Sequence, residues 1–263
     1  MNSSPIGIFD SGVGGISIWK EINLLLPNEH TLYFADSKFA PYGERTKEEI
    51  QRLCVKNTEF LLSQNCKLIV VACNTATTNA IDYLRATYKV PFIGIEPAIK
   101  PAALQSKSKK IGVLATKGTL ASALFHNTTK SLREEIKIIE QEGIGLVPLI
   151  EQGAINSPEL KKLLTTYLQP MVVQGIDHLV LGCTHYPFLI PKIKEILKSD
   201  IKIIDSGEAV AKQTNAVLKK LSLLNTTITE AQHCFYTNLD RTILERFVPI
   251  EESDFVKIAF KSF

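Results

Sequence analysis

Two of the five cysteines stand where thiol chemistry would be feasible. Cys73 and Cys183 each follow directly on a short apolar run that is typical of a buried strand. Polar residues come next, at the expected start of a helix, and they are Asn74, Thr75, Thr184 and His185. Backbone N–H groups at a helix start bind carboxylates and lower the pKa of a thiol from its reference of about 8.5. Both cysteines are therefore candidates for thiolate chemistry.

Four kinds of thiol chemistry fit parts of this pattern. A phosphatase-type Cys-x5-Arg loop is excluded, because the sixth residues after the two cysteines are Asn79 and Leu189. A zinc site of Cys73, Cys183 and His185 lacks a second close ligand pair, so we predict no metal. A cysteine hydrolase needs one thiol and leaves the second unexplained. In the fourth, one thiolate takes a proton from a carbon atom and the other thiol delivers one to the opposite face.

The glycine-rich segment near the start of the chain suggests a competing ligand, a nucleotide. Its spacing Gly12-x-Gly14-x-x-Ser17 comes close to the dinucleotide fingerprint Gly-x-Gly-x-x-Gly. However, Ser17 replaces the third glycine, and the carboxylate of Asp10 would repel a phosphate. We expect these glycines instead to bring backbone close to a small anion at a helix start.

The elements that must position these residues alternate along the chain. Short apolar runs separated by amphipathic segments predict an α/β fold with mostly parallel sheets and helices on both faces. The runs predicted as strands are 6–9, 31–35, 68–72, 92–95, 111–115, 136–139, 178–181 and 201–204, and the clearest helices are 46–63 and 158–173. Ligands of such sheets bind beyond the carboxyl ends of the strands. The residues at such ends are Asp10, Cys73, Thr116 and Cys183.

A hidden repeat indicates two similar lobes. The first strand, Ile6-Gly-Ile-Phe-Asp10-Ser-Gly, is echoed by Ile111-Gly-Val-Leu-Ala-Thr116-Lys-Gly. The strand before Cys73 is echoed at a similar offset by the strand before Cys183. Duplication predicts two pseudo-symmetric lobes that face each other across a cleft, with one thiol on each side of the bound molecule.

Composition excludes several other classes of protein. The 263 residues carry 30 Lys and Arg against 27 Asp and Glu, without the basic patch of a nucleic-acid-binding protein. No apolar run reaches the roughly 18 residues of a membrane span, and the first residues do not resemble a signal peptide. The cysteines form no Cys-x-x-Cys pair. We expect a cytoplasmic protein with free thiols, in which Cys54, Cys66 and Cys234 only pack.

Four segments together resemble the signature segments of the glutamate racemase family, within the aspartate/glutamate racemase superfamily. They are Asp10-Ser-Gly-Val-Gly-Gly, Pro41-Tyr42-Gly43, Cys73-Asn74-Thr75 and Gly182-Cys183-Thr184-His185-Tyr186-Pro187. The resemblance implies interconversion of L- and D-glutamate without a cofactor, which supplies D-glutamate for peptidoglycan. It also implies an active site between two α/β lobes. The implied lobes are 1–97 together with 207–263, and 98–206.

The resemblance assigns roles to individual residues. It makes Cys73 the base toward D-glutamate, assisted by Asp10, and Cys183 the base toward L-glutamate, assisted by His185. Glu151, in a Pro-Leu-x-Glu-x-Gly segment, would support Cys183. The residues implied to bind the substrate are Asp10, Ser11, Pro41, Tyr42, Gly43, Asn74, Thr75, Thr116, Thr119, Thr184 and His185.

Two other functions stay open from the sequence. An aspartate racemase or related amino-acid racemase would share the paired cysteines, since one methylene changes discrimination by only about 1 to 3 kcal/mol. A two-lobed amino-acid binding protein would use the cleft without chemistry. Family members are often dimers, so a homodimer is the expectation for this chain. Some members of the resembled family carry an N-terminal extension that is connected with activation by a peptidoglycan precursor. This chain starts almost directly on its first strand, so we expect no strict need for such an activator.

Overall fold

A computed structural model describes residues 3–197, 200–227, 230–248 and 255–262 of the chain. The strands are β1 (Ile6–Asp10), β2 (Thr31–Ala35), β3 (Leu68–Val71), β4 (Phe92–Gly94), β5 (Lys110–Ala115), β6 (Lys137–Glu142), β7 (His178–Gly182), β8 (Lys202–Ile204), β9 (His233–Thr237) and β10 (Val256–Phe260). The α-helices are α1 (Ile16–Leu25), α2 (Lys47–Ser63), α3 (Asn74–Thr87), α4 (Ile99–Gln105), α5 (Lys117–Leu120), α6 (Ala123–Lys130), α7 (Leu146–Glu151), α8 (Pro158–Val173), α9 (Ile190–Ile196), α10 (Gly207–Lys220) and α11 (Arg241–Glu245). Short 3-10 turns span Ser37–Phe39, Tyr42–Glu44 and Tyr186–Leu189.

The first sheet takes strands from both ends of the chain. Its order is β10-β9-β2-β1-β3-β4, and every neighbouring pair is parallel. The carboxyl ends of the strands therefore share one edge, where Asp10 closes β1 beside Ala35 of β2. The C-terminal strands β9 and β10 extend this sheet beyond β2.

The second sheet repeats the arrangement of the first. Its order is β6-β5-β7-β8, again with parallel pairs. The first sheet contains the same pattern in β2-β1-β3-β4, so β5 corresponds to β1 and β7 to β3. Ala115 lies opposite Gly182 in the register of β5 and β7. This register places Thr116 and Cys183, the next residues, at the same edge.

Apolar burial explains the central strands. All residues of β1, β3 and β7 are buried, as expected for strands covered by helices on both faces. Helix α1 packs against α10 on one face of the first sheet. Helix α2 begins at a capping box, in which Thr46 and Glu49 exchange side-chain and backbone hydrogen bonds.

The predicted fold class is confirmed: two lobes, each with a parallel sheet flanked by helices. All eight predicted strands form, with ends that differ by a few residues, while β9 and β10 were not predicted. The exact lobe boundaries at 97 and 206 stay a prediction. Among the described residues, no helix combines the length and the apolar character that crossing a membrane would require.

Candidate active site

A small cavity lies where the carboxyl ends of the two sheets face each other. Both lobes contribute to its wall. The lining residues are Ser11, Pro41, Tyr42, Gly43, Cys73, Asn74, Thr75, Thr116, Val147, Cys183, Thr184 and His185. Two thiols from corresponding strand ends of the two lobes therefore share one polar cavity.

Cys73 is the N-cap residue of α3, so its sulfur lies at the positive end of that helix. Its Sγ accepts a hydrogen bond from the N–H of Ala76 at 3.4 Å, and its thiol donates to Oγ of Ser11 at 3.7 Å. Burial raises the pKa of Cys73 well above its ordinary value, and the neighbouring Asp10 carboxylate adds to this effect. These surroundings therefore favour the thiol form of Cys73.

Asp10 lies behind the cavity wall and is fully buried. One carboxylate oxygen accepts from the N–H of Gly15 at 2.7 Å and from Oγ1 of Thr184 at 3.4 Å. The other oxygen accepts from Oγ of Ser11 at 3.3 Å. Burial raises the pKa of Asp10, while the charge of His185 and hydrogen bonds from the Cys73 side chain and the backbone of Gly15 and Ser11 oppose that shift. The contact with Thr184 joins the two lobes beneath the cavity.

Cys183 has a different partner, an imidazole. Nδ1 of His185 lies 3.7 Å from Sγ of Cys183, and Nε2 lies 2.5 Å from Oε1 of Glu151. Burial alone lowers the pKa of His185, but its hydrogen bonds and charge interactions with Cys183 and Glu151 raise it well above its ordinary value. The ring is therefore held as an imidazolium, whose positive charge stabilises negative charge on the sulfur of Cys183.

Glu151 also connects the second lobe to the first. Its Oε1 accepts a hydrogen bond from the N–H of Val13 at 2.8 Å, and its Oε2 accepts from Oγ of Ser37 at 3.4 Å. Val13 belongs to the glycine-rich segment after β1. The carboxylate that orients His185 is thus fixed by the backbone of the opposite lobe.

The glycine-rich segment is shaped by close approach across the lobes. A Cβ atom on Gly12 would lie 1.8 Å from Oε1 of Glu151, and one on Gly14 would lie 2.3 Å from Nδ1 of His185. Tyr33 donates a hydrogen bond from its hydroxyl to the carbonyl of Gly12 at 2.6 Å, which braces the segment. Because glycine has no Cβ atom, the imidazole of His185 and the carboxylate of Glu151 can pack directly against the backbone of this segment. The glycines therefore make room for these two side chains.

Hydroxyl and amide groups form another part of the site. Oγ1 of Thr75 lies 2.9 Å from Oγ1 of Thr116 and 3.4 Å from Oγ1 of Thr119. Asn74 is buried at the cavity wall, and neither its amide nitrogen nor its amide oxygen has a hydrogen-bond partner. Such an orphaned amide is costly unless a ligand pairs with it.

The Pro41-Tyr42-Gly43 turn closes the cavity beside Thr116. The Tyr42 hydroxyl donates to Oδ2 of Asp36, a buried carboxylate that the sequence reasoning missed. Burial, together with the Asp36 charge, raises the pKa of Tyr42 well above its ordinary value. The phenol is therefore a neutral donor, and its hydroxyl is already engaged below the cavity.

Most of the predicted site residues meet in this cavity. Of the cavity-lining residues, Val147 was not predicted, because an apolar residue in a helix has the pattern of core packing. Asp10, Thr119 and Glu151 lie behind the wall and contact residues that line it. Among the residues that the structure describes, no group of three or more His, Cys, Asp and Glu side chains could hold a metal ion.

The sequence profile of the Asp/Glu/hydantoin racemase family matches residues 7–214, a range that contains every residue of this cavity. The chain belongs to this family. Racemases are isomerases, so the predicted enzyme class is confirmed, as is the resemblance found from the sequence motifs.

Relatives and solved structures in this racemase family are similar over most of the chain. A glutamate racemase of Cupriavidus pinatubonensis is 51% identical over 213 residues, covering 81% of this chain and 78% of the relative. The crystal structure of a Bacillus anthracis glutamate racemase has a TM-score of 0.88 and 31% identity, covering 100% of this chain and 98% of that one. A Francisella tularensis glutamate racemase in complex with D-glutamate has a TM-score of 0.84 and 30% identity, covering 100% and 98%.

Proposed function

We propose that this racemase interconverts L- and D-glutamate by a two-base mechanism in which Cys73 and Cys183 act on opposite faces of the α-carbon. The observation that carries the proposal is the placement of these two thiols, which come from equivalent strand ends of two lobes and line one small cavity. The names of the relatives supply the substrate. Inversion of a carbon centre through a planar intermediate needs one proton-transferring group on each face.

The polar groups of the cavity suit an amino acid with two carboxylates. The unpaired amide of Asn74 offers both a donor and an acceptor, and the hydroxyls of Thr75 and Thr116 offer further donors. Negative charge that develops on the α-carboxylate, as Cα loses its proton, is stabilised by N–H groups at the start of α3. Asp10 stays close enough to the thiol of Cys73 to attract the substrate ammonium group toward it.

In each direction of the reaction, one proton is removed from the α-carbon and another is added to its opposite face. With D-glutamate bound, the Cys73 thiolate takes the Cα proton and the electron pair is delocalised into the α-carboxylate. The Cys183 thiol then protonates the opposite face, and its sulfur is left as a thiolate beside the His185 imidazolium. With L-glutamate the two thiols exchange roles. The protons balance without a redox partner or a covalent intermediate.

Charge explains how a buried thiol can become a base. Burial and the Asp10 carboxylate favour the protonated form of Cys73, because both raise its pKa. A bound ammonium group brings a positive charge next to that sulfur, which favours the thiolate. Deprotonation of Cys73, whose proton passes to the adjacent Asp10 carboxylate, is thus coupled to substrate binding, whereas Cys183 has the His185 imidazolium beside it.

The biological setting is proposed on the family resemblance. D-glutamate would be supplied for peptidoglycan, and a reducing cytoplasm would keep both thiols free. A homodimer stays a prediction.

Solvent-deuterium exchange tests the mechanism. Incubated in heavy water with L-glutamate or D-glutamate, the wild-type protein should incorporate deuterium at Cα while the circular dichroism of the amino acid decays to zero. Cys73→Ala and Cys183→Ala should each abolish racemisation. The matched control is Cys66→Ala, because Cys66 is buried just before β3 begins, at the amino ends of the strands and therefore far from the cavity at their carboxyl ends. Normal racemisation by either site variant would disprove the two-thiol mechanism.

The same assay separates the rival functions. Faster turnover of aspartate than of glutamate would make the chain an aspartate racemase. Binding of glutamate without exchange of the Cα proton would indicate a binding protein.

A further inference from the structure

A buried polar cluster lies directly beneath the Pro41-Tyr42-Gly43 turn. At its centre is Asp36, which follows β2 and is 1% exposed. Its Oδ2 accepts hydrogen bonds from the Tyr42 hydroxyl and from Nδ2 of Asn57 at 3.3 Å, and Nδ2 of Asn57 also lies 3.0 Å from the Tyr42 hydroxyl oxygen. The turn that closes the cavity is therefore held by a carboxylate below it.

The last member of the cluster comes from the far end of the chain. Asn238, just after β9, donates from Nδ2 to Oδ1 of Asp36 at 2.5 Å. Its Oδ1 accepts from the N–H of Lys38 at 2.9 Å, and its own N–H donates to the carbonyl of Ala35 at 3.4 Å. One amide side chain thus fixes both the carboxylate and the backbone of the loop that leads to the turn.

We propose that Asn238 is a positioning residue for substrate binding, which holds the Pro41–Gly43 wall of the cavity in place through Asp36 and Tyr42. The proposal rests on the proposed racemase function, because it concerns the wall of the same site. It also gives the C-terminal strand β9 a role in the site, since β9 pairs with β2 and delivers Asn238 to the loop after β2.

The chemistry of the cluster favours an amide at position 238. A buried carboxylate needs donors, and Asn238 supplies one while its oxygen accepts the N–H of Lys38. Burial raises the pKa of Asp36, and the hydrogen bonds from Tyr42, Asn238 and Asn57 counteract that shift. Loss of the amide would leave both the carboxylate and a backbone N–H with a missing partner, and the loop would shift to satisfy them.

The effect should fall on substrate binding. A wall that contacts the substrate equally in the ground state and in the transition state contributes uniform binding, and its loss raises KM with little change in kcat. For Asn238→Ala we expect KM for both isomers to rise about tenfold, with kcat within about threefold of wild type.

Asn225→Ala is the matched control. Asn225 is 7% exposed and Asn238 is 6% exposed, and both follow α10 in the chain. The side chain of Asn225 donates to the carbonyl of Asn28 at 2.8 Å, at the opposite edge of the first sheet from the cavity. Asn225→Ala should lower the melting temperature about as much as Asn238→Ala does, and it should leave KM unchanged.

A charge variant gives a second readout that a purely structural role would not produce. Asn238→Asp puts a second carboxylate against Asp36, where Tyr42, Cys54 and Lys56 are the other titratable groups that interact with it. At low pH the two carboxylates share a proton, which restores the donor. At higher pH they repel each other. The KM of this variant, relative to that of the wild type, should therefore rise as pH rises. It should return toward the wild-type value when the pH is lowered.

Turnover and calorimetric binding of D-glutamate are measured together. If Asn238→Ala has the same KM and dissociation constant as the wild type, the positioning role is overturned. It is also overturned if the ratio of the Asn238→Asp KM to the wild-type KM does not change with pH. If the wild-type protein binds D-glutamate without racemising it, the proposed catalysis is refuted. The ratio of the dissociation constants of Asn238→Ala and the wild type would then still test the role of Asn238. Wild-type protein that neither binds nor converts glutamate would overturn both proposals.

Discussion

The carboxylate of Glu151 holds the imidazole of His185 at 2.5 Å and is itself held by the N–H of Val13 in the opposite lobe at 2.8 Å. The orientation of the ring beside Cys183 therefore depends on the fit between the lobes. Glu151 thus contacts a residue of the cavity wall although it does not line the cavity itself.

Gly12→Ala should disturb that fit directly. The added methyl would lie 1.8 Å from Oε1 of Glu151, so the carboxylate must move away from Val13 and His185. We expect kcat/KM for glutamate to fall at least about tenfold, because a misplaced group near the chemistry is costly. Gly207→Ala is the control, since its methyl would meet mainly the side chain of Glu21. Unchanged kcat/KM in Gly12→Ala would contradict this account.

Glu151→Gln should alter the pH dependence of the reaction. The carboxylate is one of the groups that raise the pKa of His185, so its neutralisation lowers that pKa. The imidazolium is lost as pH rises through this pKa, and the basic limb of the kcat/KM profile should therefore move to lower pH. Glu195→Gln, at an exposed surface pair, should leave the profile in place. A basic limb that stays fixed would show that His185 does not titrate there.

The sequence predicted the central strands well, because a strand such as β7 is a continuous apolar run between polar residues. It did not predict β9 and β10, most of whose residues are only partly buried. β9 pairs with β2, which is distant in the chain, and β10 pairs in turn with β9. The same limit applies to Asp36 and Asn238, since a hydrogen bond between residues 202 apart leaves no local pattern.

The site was predictable where function depends on local motifs. Cys73 and Cys183 follow strands and precede helices, so their types and positions were enough to place them in one cleft. Glu151 was predicted through a family segment, but its contact with Val13 requires the assembled lobes.

Lys67→Met should destabilise the first lobe without changing catalysis. Nζ of Lys67 lies 2.6 Å from Oε2 of Glu29, and both side chains are 2% exposed. Removal of one partner leaves a buried charge, which costs about 3 to 5 kcal/mol and lowers the melting temperature by roughly 6 °C or more. The second change Glu29→Gln should recover part of this loss. An unchanged melting temperature in Lys67→Met would show that Glu29 finds another partner.

Val147→Leu should change the preference between substrates. Val147 lines the cavity from α7 and is an apolar wall among polar groups. An extra methylene reduces the room for the longer side chain, and one methylene is worth about 1 to 3 kcal/mol of discrimination. We expect kcat/KM for glutamate to fall about tenfold or more, with a smaller loss for aspartate. Val173→Leu, at an exposed position of α8, controls for the substitution type. Equal losses for both acids would mean that Val147 does not face the substrate side chain.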